Sequence, residues 1–395
     1  MEVKQKNMSF AFSLAFFAIV TFLSMDMYLS ALPTMAKSLG LTVDSAQYTI
    51  TAWFLGSASL QLIVGPLADV YGRKIFFISG IVLFFISSLV IAVSSDYVTI
   101  LVARYFQGIT VCTTMVAGLS TIHSIFDGKH AVGVVSTLMT ITILAPALGP
   151  VLGAFIVKSY SWQAIFFVLA YASVLGFLLN IIFMPNTNDK GSSLKMSAIF
   201  TNYRSIVCNG SFMKFLSINC LLTSAFFIWV VESPFLIISG LNRGEVYYGL
   251  VQIPIFGAFI VGGQLTRYFI NYYPVANVVK VGMVLAALGA SLFLLTSCFY
   301  APDYCWVSAM TLFSTGASMT FGALNRYTII SSNMPMGSKV AVNSSLTSFC
   351  GVLSSLLVSA INNMTFFNIA LPIFIVTVIA VALFFKSDLP DVESV

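Results

Sequence analysis

Two carboxylates, Asp26 and Glu232, interrupt otherwise apolar runs, and one arginine, Arg104, interrupts a third. A charged side chain at the centre of a bilayer costs about 2.5–3.5 kcal/mol on insertion scales, so it persists only beside water or a partner. Groups placed in this way are sites of proton or cation exchange by default. Asp26 lies in the run from about Met8 to Met35, and Glu232 lies at comparable depth in the first apolar run of the second half. The chemistry expected of Asp26 is exchange of H⁺ against a cationic or polar solute, with the Arg104 charge biasing that exchange. The plain alternative is a permanent structural ion pair between Asp26 and Arg104. For Arg104, snorkelling to the outer interface is a further alternative. Glu232 reads as a second proton or cation site, as a selectivity group, or as a hydrogen-bonded structural acid.

The elements that hold these groups follow from composition. The chain has 395 residues, of which 59% are hydrophobic and 8% charged, against roughly 25% charged in a soluble domain. That much apolar surface requires lipid. The fold expected is therefore all-α and polytopic, with each span needing about 20 mostly apolar residues. Twelve such runs occur, at roughly 9–35, 46–66, 75–94, 98–122, 131–157, 162–184, 213–238, 247–270, 277–299, 305–325, 340–361 and 367–385. The longest polar interruption, Pro185 to Met213, divides them six and six. It predicts an N-terminal six-helix bundle over 1–184, a cytoplasmic linker over 185–212 and a C-terminal six-helix bundle over 213–395.

Lys4 and Lys6 precede an apolar run as in a signal peptide, but the run is too long and lacks a small-residue cleavage site. It reads as a retained first span. Of the 18 Lys and Arg, 14 fall on the side of the N-terminus, Lys37, Lys158 and Arg243 fall on the other, and Arg104 stays within the membrane. Both termini are accordingly expected in the cytoplasm.

Several classes are excluded. The net charge of +5 is dispersed over short loops rather than gathered in a stripe, which argues against a nucleic-acid partner. No Walker A loop supports nucleotide-driven pumping. An intramembrane enzyme would need a catalytic set at membrane depth, and none is present. His123 and His130 lack metal-ligand company, so neither a metal nor a cofactor is expected. The six cysteines contain no CxxC pair; Cys298 and Cys305 flank one short loop and are the two that a bridge would join.

The two halves carry weak internal matches. Gly65-Pro66-Leu67 ends the second span and Gly263-Gln264-Leu265 the eighth, while Asp26 and Glu232 are each followed by a proline, Pro33 and Pro234. Paired bundles with a site near the midplane form the arrangement of carriers that expose the site to each side in turn. Residues assigned to a solute cavity are Tyr28, Trp53, Met115, Phe226, Trp229 and Glu232, since methionine and aromatic side chains accept varied or cationic ligands. Taken singly, such side chains are more often core.

The stretch Gly65-Pro66-Leu67-Ala68-Asp69-Val70-Tyr71-Gly72-Arg73-Lys74 links the second and third spans and closely resembles the signature loop of the major facilitator superfamily. Its residue types suit a gate: Gly65 for close approach, Asp69 as a helix cap or arginine partner, Gly72 for the turn, and Arg73 as a counter-charge. Val70 departs from the basic residue common in the family. Arg104-Tyr105-Phe106-Gln107-Gly108 resembles the family's second motif. Ala145-Pro146-Ala147-Leu148-Gly149-Pro150-Val151-Leu152-Gly153 resembles the motif of its antiporter branches, with Pro146 and Pro150 to bend the helix and Gly149 and Gly153 to pack it tightly. Met25-Asp26-Met27-Tyr28-Leu29-Ser30-Ala31-Leu32-Pro33 resembles the Bcr/CflA branch of drug:proton antiporters, with Ser30 in place of the first proline.

The resemblance implies a proton-driven carrier in the inner membrane of a bacterium, working by alternating access. It needs no cofactor beyond the proton gradient, and its partners are a small molecule, protons and membrane lipid. A monomer is expected. Cargo is expected to be a drug-like amphipath or an endogenous metabolite such as a siderophore, moved outwards. Uptake of a small solute by proton symport is the alternative.

Overall fold

A backbone in lipid must satisfy its own N–H and C=O groups, so apolar runs of this length fold as helices. The computed structural model describes residues 2–126, 134, 138, 142, 144–186, 196–299, 302–360 and 365–387, and these contain helix and no strand. The side chains of residues 2–7, Asp69, His123 and 196–198 lie outside that description. Also outside it are Lys129, His130, Lys190 and Lys195, most of the first part of the expected fifth span, and much of the expected linker.

Among the described residues, helix is found at each of the twelve places where a span is expected. Span one is Glu2–Ser38, and span two is Val43–Ser59 with Gln61–Tyr71. Span three is Arg73–Val93, and span four runs from Tyr97–Cys112 through a π-helical turn, Thr113–Gly118, into Leu119–Ile125. The described part of span five is Leu144–Ser159, and span six is Trp162–Phe183. Span seven, Gly210–Pro234, ends in a second π-helical turn, Phe235–Gly240. Spans eight to twelve are Gly244–Phe269, Val275–Cys298, Asp303–Ile330, Met336–Ser359 and Phe366–Phe385. Among the described residues, nine helices are long and apolar enough to cross a membrane, and the bent span two makes a tenth. A short helix, Met196–Val207, precedes span seven.

The bend in span two is 41° and falls just after Ser59, about two turns before Pro66 and so beyond the single turn that a proline ring and missing N–H weaken. The helix then continues to Tyr71, so the signature stretch is mostly helix rather than loop. The reversal is confined to Gly72, at φ 102°, a conformation that favours glycine. Gly72, not Asp69, therefore occupies the N-cap position of span three, and Asp69 lies in the last turn of span two.

The chain forms two compact units, Met1–Met196 and Ser197–Val395. In the first, small residues let backbones touch. A Cβ added at Gly56 would meet the Tyr105 carbonyl oxygen, and one at Gly108 would meet the Trp53 carbonyl oxygen, which locks spans two and four together. Span four starts at Asp96, whose carboxylate accepts from the Thr99 N–H at 2.8 Å and the Thr99 hydroxyl at 2.7 Å. These bonds hold the Asp96 carboxyl below the usual carboxylate range.

In the second unit, Gly282, Gly289 and Gly316 bring spans nine and ten into backbone contact. Asp303, at the start of span ten, accepts from Arg243 at 3.0 Å and from the Tyr247 hydroxyl at 2.7 Å, tying the entry of span eight to it. Cys298 and Cys305 are both free, so the bridge considered between them is not formed.

Substituting Gly108→Leu should force spans two and four apart. Overpacking of this kind costs about 1–3 kcal/mol, so the purified variant should melt several degrees below the parent. An unchanged melting temperature would show that the seam is not tight.

Candidate proton and solute site

Asp26 sits in the middle of span one with 7% of its surface exposed. Among the described residues, no hydrogen bond or ion pair reaches its carboxylate. What closes around it is backbone. A Cβ added at Gly149 would fall on the Asp26 Cβ, and one at Gly153 on the Met27 carbonyl oxygen. One turn on, the Ser30 hydroxyl donates to the Pro150 carbonyl at 2.6 Å. The span-five motif is thus the surface against which Asp26 is held, with Pro150 inside the helix. Ser30, the departure from the branch pattern, supplies the hydrogen bond that joins the two helices.

Arg104 is wholly buried, which removes the snorkelling alternative. It is also not the salt-bridge partner of Asp26. Its Nη1 donates to the Ser24 carbonyl at 3.0 Å and to Gln107 Oε1 at 2.6 Å, and its Nη2 approaches Met25 Sδ at 3.5 Å. The guanidinium lies over the Tyr28 ring, 4.4 Å from its centroid, where the ring's negative face stabilises a cation. Its Nε has no partner among the described residues. Gln107 passes the network on by donating from Nε2 to the Ser88 hydroxyl at 2.9 Å. Tyr28 completes it through a 2.6 Å bond between its hydroxyl and that of Thr49. Spans one, two, three and four therefore share one buried polar network, one residue away from Asp26.

Other predicted cavity residues are spread more widely. Trp53 is buried in span two, and its indole N–H lacks an acceptor among the described residues. Met115 is half-buried in the π-helical turn of span four. In the second unit Glu232 is buried near the end of span seven, at 4% exposure. Phe226 is half-buried and packs on Phe256 and Phe259 at 5.4 and 5.5 Å. Trp229 is wholly buried among Phe293 and Trp306, with its N–H donated to Gln252 Oε1 at 3.2 Å.

At the other end of the first unit, Arg73 Nη1 donates to the Ser120 carbonyl at 3.1 Å, and Lys74 Nζ donates to the Met184 carbonyl at 2.7 Å. A Cβ at Gly65 would meet only Val116 Cγ1, at 3.4 Å. Gln107, Ser88, Thr49 and Gln252 escaped the sequence reading as partners. The available signal was that a buried Gln within a span requires hydrogen-bonding company.

Residues 14–359 match the family model described as Major Facilitator Superfamily. The chain belongs to that superfamily. It is accordingly a transporter and not an enzyme. The superfamily chain is 25% identical over 347 residues to a protein named Multidrug transporter MdfA from Edwardsiella piscicida, covering 87% of this chain and 85% of that one. It is 26% identical over 354 residues to one named Chloramphenicol resistance protein CraA from Acinetobacter baumannii, covering 89% and 86%. Its fold is similar to that of the xylose transporter XylE from E. coli in a partially occluded, inward-open conformation, with a TM-score of 0.74, 15% identity and 99% of both chains covered.

Because Gly149 abuts Asp26 directly, Gly149→Ala should displace the carboxyl. Transport per inserted molecule is expected to fall about tenfold, in line with about 1–3 kcal/mol of overpacking strain. Parental transport at matched membrane levels would show that span five does not position Asp26.

Proposed function

We propose that this protein is a proton-driven exporter of drug-like, amphipathic small molecules in the bacterial inner membrane, with both termini in the cytoplasm. The observation that carries this reading is the state of Asp26. A carboxyl embedded in a span, shut in by glycines and unclaimed by Arg104, is available to bind and release H⁺. A carboxylate clamped in a fixed ion pair has its charge committed and does not exchange so readily.

Asp26 is deprotonated when cargo enters from the cytoplasm. A proton arriving from the other side neutralises it, cargo leaves, and the protonated carrier resets. With a neutral cargo one net charge crosses per cycle, worth about 2.3 kcal/mol at 100 mV; with a monovalent cationic cargo the exchange is electroneutral and the pH difference drives it. Arg104 supplies a fixed positive charge near the Asp26 backbone, held by Gln107 and Tyr28 so that it does not collapse onto the acid. The Gly72 reversal and the Arg73 bond to span four serve the change of state at the cytoplasmic end. Relatives named as a multidrug transporter and a chloramphenicol resistance protein support export over uptake. Met115 and Phe226, both half-buried, offer apolar and aromatic surface to such cargo, and Glu232 selects among cargoes by charge.

In proteoliposomes with an imposed pH gradient, Asp26→Asn should reduce chloramphenicol export to background while the variant remains folded and inserted. Parental export by Asp26→Asn would remove the coupling role. Glu232→Gln should keep proton-coupled export but change the ratio of cationic to neutral drugs moved by about tenfold. An unaltered ratio across both classes would make Glu232 a structural acid.

A further inference from the structure

Two thiols that lie 130 residues apart in sequence meet inside the second unit. Cys220 lies in span seven and Cys350 in span eleven, and both side chains are half-buried. The helix register brings them together. The Ser354 hydroxyl donates to the Ser224 carbonyl at 3.2 Å, and 354 and 224 each follow their cysteine by four residues, one helical turn. Spans seven and eleven, separated by four reversals of the chain, run in the same direction. With an equal rise of 1.5 Å per residue, stepping back one turn on both helices sets Cys350 opposite Cys220. The two thiols lie close enough to interact, with Thr347 beside Cys220 and Ser224 beside Cys350.

No other chemistry claims this pair. It lies outside the Asp26 network, and among the described residues no third His, Cys, Asp or Glu joins it to make a closed metal cage. Two soft sulfur donors without a third ligand suit a cation that accepts two ligands in line, which means a soft d¹⁰ ion and not zinc, which takes four. The surrounding Ser and Thr hydroxyls are polar enough to stabilise the thiolates but are hard, weak ligands for such an ion.

We propose that Cys220 and Cys350 form a two-thiolate site for a soft, two-coordinate cation, bridging spans seven and eleven. Occupation by mercuric ion forms two S–Hg bonds and releases two protons, with no change of oxidation state. The half-buried position of both residues gives the ion a way in. Bridging gains over single-thiol binding because the second sulfur is already in place, an effective-concentration advantage of about 10²–10⁴.

The test uses the purified full-length protein, mercuric chloride as probe and excess glutathione as monothiol competitor. Bound mercury is counted by mass spectrometry of the intact protein. Wild type should retain one mercury per chain, and Cys220→Ala, Cys350→Ala and the double variant should each lose it, with apparent affinity reduced about 100-fold or more. Cys112, Cys208, Cys298 and Cys305 remain as internal controls, and replacing all four by Ser should leave the tight site intact. If a single variant is unstable, wild-type protein loaded with mercury should still show two fewer maleimide-reactive thiols on unfolding. Equal retention by wild type and the double variant would overturn the site, as would loss of the tight mercury in the four-serine variant.

Discussion

A carboxyl group within a membrane-spanning bundle has to be kept from lipid without being neutralised for good, and the first unit of this protein meets both demands with backbone. Gly149 and Gly153 give up their side chains so that span five lies directly against Asp26 and Met27. The Ser30 hydroxyl then fastens the two helices one turn away. An aliphatic residue at either glycine would push span five outward and open a path along the acid. The glycines of an otherwise ordinary packing seam thereby acquire a chemical role.

The arginine completes the arrangement by what it does not do. A buried guanidinium leaves a large desolvation cost unless its protons and charge are compensated. Here compensation comes from a carbonyl, a carboxamide, a thioether and a tyrosine ring. None of these is an acid. In the proposed cycle Arg104 therefore contributes a standing field, while Asp26 keeps the proton that it exchanges. The Gln107 link to Ser88 and the Tyr28 link to Thr49 extend that restraint to spans three and two, so movement of any of these helices is felt at the arginine.

Much of this was legible in the chain before its fold. Charge-poor runs of span length gave the twelve segments nearly in place, because hydropathy is a property of each segment alone. Asp26, Glu232 and Arg104 stood out because a charge in such a run is costly wherever the helix packs. The partners on other helices were not legible. Gln107 stands three residues after Arg104 on the same helix, a spacing that allows their bond, but whether Arg104 also meets Asp26 or Tyr28 depends on the rotation of one helix against another, and sequence spacing does not encode that. The same holds for Cys220 and Cys350, whose proximity follows from helix register across four intervening spans. The signature stretch was misread as a loop because Gly and Pro within it signal turns, whereas the helix carries on past Pro66 and reverses only at Gly72.

Proton release on cargo binding tests the central claim most directly. Detergent-purified protein in a weakly buffered solution, titrated with tetraphenylphosphonium under a pH electrode, should release close to one proton per cation bound. Asp26→Asn should release none, while Arg104→Lys still does. Binding without proton release in the wild type, or equal release by Asp26→Asn, would contradict exchange at Asp26.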